Sequence, residues 1–222
     1  MKRRTLDVLF SAGGLALAVL LLVLGMVMTS NANFAKTYVA EQLGEQKIVF
    51  KSADTLTDIE KESACLVKYA GQPLLTGKQA ECYANDFIGL HLRATPDAKT
   101  YAELGDVQSG LRAQITVATA ANSPTLPALQ KQLTDTTALR ETQFKGETLR
   151  GLLLTSYGFS VFGVKGEQAA TVSYIVAAIL ALLSIAGMIH AFRTPKDKTF
   201  AAPEQPKNKP GTNPETKPLV GV

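Results

Sequence analysis

Hydrophobic residues crowd into two long runs, one near each end of the chain, and thin to a three-or-four-residue recurrence between them. The runs cover residues 6–28 and 171–192. Each can cross a hydrocarbon core of about 30 Å, for which a helix needs roughly 20 apolar residues. The pattern predicts a mainly α membrane protein, with two transmembrane helices flanking a helical extracytoplasmic domain at residues 29–170. Residues 1–5 form a stub, and residues 193–222 form a Pro/Lys-rich tail. The second span carries Ser173, Ala177 and Ala181 on one face and Leu183, Gly187 and Ala191 on another. Small residues at steps of four let helix backbones approach closely.

Within the middle section the recurrence predicts a series of helices. Phe34, Tyr38, Val39 and Leu43 share a helical face, which Gly44 is expected to terminate, after Asn31 and Asn33 lead out of the membrane. Residues 47–51 read as a short strand or an extended passage. Two amphipathic helices follow, over residues 54–69 and 77–92, with Thr57 and Glu60 spaced as a capping box. Pro96 breaks the pattern. Tyr101, Leu104, Val107, Leu111, Ile115 and Ala118 then form a stripe over residues 100–119, which Asn122-Ser123-Pro124 ends. Pro127 opens a longer helix reaching about Thr155. The segment 151–166 is apolar, aromatic and rich in glycine, and it lies just before the second span. Its Tyr157, Phe159 and Phe162 are the candidate contact with a partner; the plainer reading is a domain core returning to the bilayer.

Charge sets the orientation. Lys2, Arg3 and Arg4 precede the first run, and Arg193, Lys196 and Lys198 follow the second. Basic residues beside a span stay in the cytoplasm. Both ends are therefore expected inside the plasma membrane and the middle domain in the periplasm. A basic start and an apolar run also describe a signal peptide. The first run is longer than a signal core, however, and Met28-Thr29-Ser30-Asn31-Ala32 is a poor cleavage site. Residues 30–170 hold 14 Lys+Arg against 15 Asp+Glu, so the net charge of +4 comes from the short ends. It implies no nucleic-acid partner. The proline-rich tail cannot build a core and is expected to be disordered.

Little in the chain carries chemistry. Cys65 and Cys82 are the only cysteines, and both fall in the outward domain. In an oxidising compartment they predict one structural disulfide, closing a loop of about 17 residues and stapling the two amphipathic helices together. The chain-entropy account gives such a loop roughly 3 kcal/mol. They are neither a CxxC pair nor, without nearby histidines, a zinc set. His91 and His190 lack a ligand partner one helical turn away. Acidic pairs such as Asp58/Glu62 lie on ordinary charged faces, and no nucleophile motif, phosphate loop or haem attachment occurs. Neither span carries a charge at mid-depth, as an ion or proton path would need. No catalytic, cofactor-binding or metal residue is expected, and the chain is not expected to be an enzyme.

The layout of Lys2–Arg4, span 6–28, outward helical domain, span 171–192 and Pro/Lys tail resembles the two-span association factors of the actinobacterial respiratory supercomplex. There a cytochrome bcc complex joins an aa3-type cytochrome oxidase. The resemblance implies an accessory subunit of the electron-transport chain in the plasma membrane, lodged near the contact of the two enzymes. Its partners would be their membrane subunits and the lipid bilayer, with haem, copper and menaquinone belonging to the neighbours. A membrane-anchored extracytoplasmic sensor or ligand-binding protein is the alternative. A pocket lined by Tyr83, Phe87 and Tyr101 would favour that second reading.

Overall fold

A computed structural model describes residues 3–95 and 99–195, and every regular element among them is helical. Helix α1 spans Arg3–Glu45, α2 Asp58–Lys61, α3 Ala64–Tyr69, α4 Gly77–Cys82, α5 Gly89–Arg93, α6 Tyr101–Ala120 and α7 Leu126–Arg193. A π-helical stretch, Tyr83–Ile88, joins α4 to α5. The fold is all-α, and its two longest helices each contain an apolar run long enough to cross a membrane. Only 17% and 11% of those runs are buried within the chain, which is unlike the core helix of a soluble protein. The breaker at Pro96 and the tail beyond Pro195 lie outside the described residues.

Local chemistry explains where the short helices begin. Thr57, Thr76 and Thr100 cap α2, α4 and α6, each in a reciprocal box with Glu60, Gln79 or Glu103. Residues 54–69 are expected as one helix but form two. Ser63 takes an extended conformation between them and its hydroxyl accepts from the Leu66 amide, so a cap interrupts the stripe. Helix α6 ends in a Schellman motif. Asn122 adopts φ 49°, its amide donates to Thr119 O at 3.2 Å, and that of Ser123 to Ala118 O at 2.8 Å.

Asn31 and Asn33, expected to lead out of the membrane, are both exposed and lie within the continuous helix α1. One further expectation is corrected: Gly44 is not the terminator of the helix. The helix passes it to Glu45, and Lys47 supplies the left-handed residue at φ 52°. The reason for a glycine at 44 is space, since a Cβ there would stand 3.2 Å from Leu75 Cδ2. The extended passage after α1 makes a single antiparallel bridge, Val49 to Pro73, flanked by Phe50 N–H to Gln72 O at 3.0 Å and Leu74 N–H to Ile48 O at 2.9 Å.

The described residues divide into two compact units. The central one is Val23–Ser173, and the terminal one joins the residues up to Leu22 with those from Tyr174 onward. In the central unit Val39 and Leu43 of α1, Phe50, Leu66, Leu74, Ala80, Ile88, Leu92 and Leu153 form one apolar core. Rings line its edge in a ladder of Tyr69, Phe50, Tyr83, Phe87 and His91, with successive centroids 4.6–5.6 Å apart. Buried positions of α1 recur every seven residues, at Ser11, Ala18, Gly25, Ala32 and Val39. All but the last are small, and on α7 Ser11 meets Gly187 and Ala32 meets Gly166. In the central unit a Cβ on Gly163 would lie 3.0 Å from Ala35 Cβ. In the terminal unit Gly14 faces the Ser184 hydroxyl and Gly187 faces that of Ser11, a reciprocal pairing that permits close backbone approach.

Candidate functional site

Cys65 on α3 and Cys82 on α4 are joined by a disulfide with a Cα–Cα distance of 6.0 Å. The capped starts of α3 and α4 bring the two together across the turn at 71–76, where Gly71 takes φ 72°. Asp86 approaches the bridge: one carboxylate oxygen lies 2.7 Å from Cys65 Sγ and accepts from Ser63 Oγ at 3.1 Å. The two sulfurs and the carboxylate lie within 4.8 Å of one another, a spacing that could hold a metal ion. Metal ligation by cysteine requires a thiolate, however, and here each sulfur is bonded to the other. The trio is a potential Cys2Asp site only in the reduced protein. A shallow cleft of about 290 Å³ beside it carries Lys68, Lys78, Glu81 and Asn85.

The three aromatic residues singled out before the second span have different neighbours. All are in α7, but the half-buried Tyr157 turns toward α4. There Lys78 Nζ donates to its hydroxyl at 3.2 Å and lies 4.8 Å from its ring centroid. The bond to Glu81, followed by that to Tyr157, holds the Lys78 ammonium above the ordinary lysine range. Phe159 makes an edge contact with Tyr38 of α1, and Phe162 is 77% exposed. Phe34, Tyr38, Phe159 and Phe162 are all exposed on α1 and α7.

A larger cleft, about 460 Å³, opens between α6 and α7 in the central unit. The five-residue turn at 121–125 makes these helices an antiparallel hairpin, so Tyr101 meets Arg140 and Phe144, and Gln108 meets Thr137. The Arg140 guanidinium lies 4.1 Å over the Tyr101 ring, close enough for a cation–π contact. Its Nε donates to Tyr101 O at 3.2 Å and its Nη1 to Gln108 Oε1 at 2.9 Å. Gln108, only 3% exposed, donates to Thr137 Oγ1 at 2.7 Å, and Thr137 donates to Leu133 O. This chain of bonds fixes the arginine before anything binds. Gly105 leaves room for it, since a Cβ there would be 3.1 Å from Arg140 Nη2.

The charge of this cleft is unbalanced. Lys145 pairs with Glu141 at 3.2 Å, but among the described residues no carboxylate lies within 4.0 Å of Arg112 or Arg140. Phe144 adds a ring that is 55% exposed. Of the trio Tyr83, Phe87 and Tyr101, only Tyr101 lines this cleft; the other two belong to the aromatic ladder, and burial raises the Tyr83 phenol.

Glu60 is the most enclosed ionised group, with its side chain 0% exposed. Burial alone would raise its pKa. Lys51 Nζ at 2.8 Å, the Thr57 amide at 2.8 Å and the Thr57 hydroxyl outweigh burial and hold the carboxyl at about 2. His91 Nε2 stands 3.4 Å away, while Nδ1 meets Phe87 O. Every side of the carboxylate is engaged by structure, so it is a tie among α2, α5 and the passage after α1. In the terminal unit a cleft of about 300 Å³ takes in Asp7, Ser11, Ser184 and His190, with one Asp7 oxygen buried and lacking a hydrogen-bond partner. No protein family, curated protein or solved structure matches this chain.

Proposed function

We propose that the chain is a membrane-anchored extracytoplasmic binding protein, without catalysis of its own, whose central helical unit carries the ligand site. One observation carries this reading: the α6–α7 cleft is lined by a part-buried hydrogen-bond chain that fixes Arg140, and it keeps two arginines without an ion-pair partner among the described residues. A preformed concave site with few fixed polar groups is the usual form of a small-molecule site. The compact disulfide-bonded helical unit around it suits a scaffold, and the two apolar helices suit an anchor. Both chain ends would then be cytoplasmic. The test is native mass spectrometry of the full chain extracted from membranes, with thermal unfolding against a panel of small organic molecules. A ligand at a hundred times its Kd stabilises by about 2.7 kcal/mol. A panel without any stabilising compound, and a chain that carries no retained molecule, would defeat the reading.

A second reading is favoured by a different observation. Exposed Phe34, Phe159 and Phe162, together with span faces that remain open within this chain, suit packing against larger membrane proteins. The resemblance to supercomplex association factors names those partners as cytochrome bcc and aa3-type oxidase subunits, with this chain stabilising their contact. Purification in mild detergent through a C-terminal tag separates the two readings. Haem bands and bcc and oxidase subunits in fixed ratio would establish the accessory role. A colourless preparation with no fixed partner would remove it.

A further inference from the structure

We infer that the α6–α7 cleft takes a small organic anion with a flat apolar face; this deepens, and rests on, the ligand-binding reading above. The anionic end follows from the arginines. Arg140 spends Nε and Nη1 on two neutral acceptors, the Tyr101 carbonyl and the Gln108 amide oxygen. Neither acceptor cancels its charge, and a guanidinium has five N–H donors, so donors remain for a ligand. Arg112 stands one turn beyond Gln108 on the same face of α6, lines the same cleft and has no ion-pair partner among the described residues. Two guanidinium groups on one cleft match a carboxylate, sulfonate or phosphate, whose oxygens accept two parallel N–H bonds.

The flat end follows from the rings. Tyr101 and Phe144 stand 5.6 Å apart at an interplanar angle of 47°, and the exposed Phe144 lines the same cleft as the arginines. Arg140 lies over Tyr101, the other ring of this wall, so a ligand ring laid on Phe144 has a guanidinium in the same cleft for its substituent. The cleft's volume of about 460 Å³ falls within the range of small-molecule sites, roughly 300–1,000 Å³. Glu141 disfavours a second negative group at its own end of the cleft, while its pairing with Lys145 keeps that end neutral. The ligand class is therefore a monoanion with one or two fused rings, rather than a bare inorganic anion or a polyanion.

The test is calorimetric titration of the full chain in lipid nanodiscs. The probes are naphthalene-2-sulfonate, the neutral 2-naphthalenemethanol, the cationic 2-naphthylmethylammonium and sulfate alone. Naphthalene-2-sulfonate should bind saturably at one site per chain, at least about tenfold tighter than any of the other three. Arg112→Gln, at an exposed position outside the Gln108–Thr137–Arg140 hydrogen-bond chain, should weaken it about tenfold, and Phe144→Ala should do the same. Partition into the bilayer is common to all variants and cancels in the comparison. Equal affinity for the alcohol, or an unchanged affinity in Arg112→Gln, would overturn the anion assignment and leave a binding site of other chemistry. Failure of every probe to bind saturably would remove this ligand assignment, while the ligand-binding reading falls only if the broader panel and the retained-molecule measurement also fail.

Discussion

Glu60 illustrates how one side chain can matter more than its position in a periodic pattern suggests. The Thr57–Glu60 spacing is legible as a capping box, and the box is present. What the spacing does not reveal is that the same carboxylate is enclosed and paired with Lys51 from outside its helix. Its pKa in the folded chain, about 2, lies below the ordinary value of 4.5. A lowered carboxyl pKa contributes stability that is present above pH 4.5 and is lost as pH falls toward 2. Lys51 is partly open to solvent, which discounts the effect. The central unit should lose about 1–2 kcal/mol between pH 7 and pH 3 from this group. Glu60→Gln should destabilise the chain at pH 7 by a similar amount and flatten that part of the pH dependence. Urea unfolding of both proteins at the two pH values measures it, and parallel pH profiles would refute the assignment.

At the scale of elements, the glycine-rich stretch before the second span shows what composition can and cannot convey. It reads as one distinctive segment, yet it is the middle of the continuous helix α7, and its glycines are of two kinds. Gly163 and Gly166 face Ala32 and Ala35 of α1, while nothing lies within 4 Å of a Cβ on Gly151 or Gly158. Gly163→Leu should therefore force the helices apart and cost about 1–3 kcal/mol. Gly151→Ala should stabilise by about 0.5–1 kcal/mol through helix propensity alone. Thermal unfolding of the two variants would show opposite shifts; shifts of the same sign would dismiss the small-residue seam. The Cys65–Cys82 staple is also an element-scale feature, because it joins two helices of only six residues each. The double variant Cys65→Ala/Cys82→Ala should lose roughly 3 kcal/mol, in keeping with a closed loop of 17 residues. The long apolar runs, the Thr57–Glu60 cap and the α6 stripe were readable because each depends on neighbours within one or two turns. Ser63 and the π-helical turn at Tyr83–Ile88 were not, since a hydrophobic stripe records which face is buried and not where the ladder is interrupted. The cleft was half legible. Folding α6 back on α7 about the turn at Asn122 would have set Tyr101 against Phe144 and Gln108 against Thr137, but the guanidinium over Tyr101 depends on side-chain packing.

At the scale of the whole molecule, the question is which side of a membrane the central unit occupies. Both proposed functions depend on the answer. A small organic anion and an external domain of a partner reach the α6–α7 cleft and the Phe162 face only from the compartment that holds residues 29–170. Two independent sequence features underlie our proposal that this compartment is the outside. Basic residues flank the apolar runs at the chain ends, and both cysteines fall between the runs, where an oxidising environment would keep them bridged. Those bridged cysteines also make the native chain silent toward thiol reagents, which gives a clean background for single added cysteines. Ala120→Cys, at the exposed end of α6, should react with an impermeant maleimide in intact cells. Gln205→Cys should react only after the membrane is opened. The reverse pattern would invert the topology and move the cleft to the cytoplasm. Labelling of the native chain without reductant would instead free the two thiols beside Asp86, and the potential Cys2Asp metal site would then become the first place to look for a ligand.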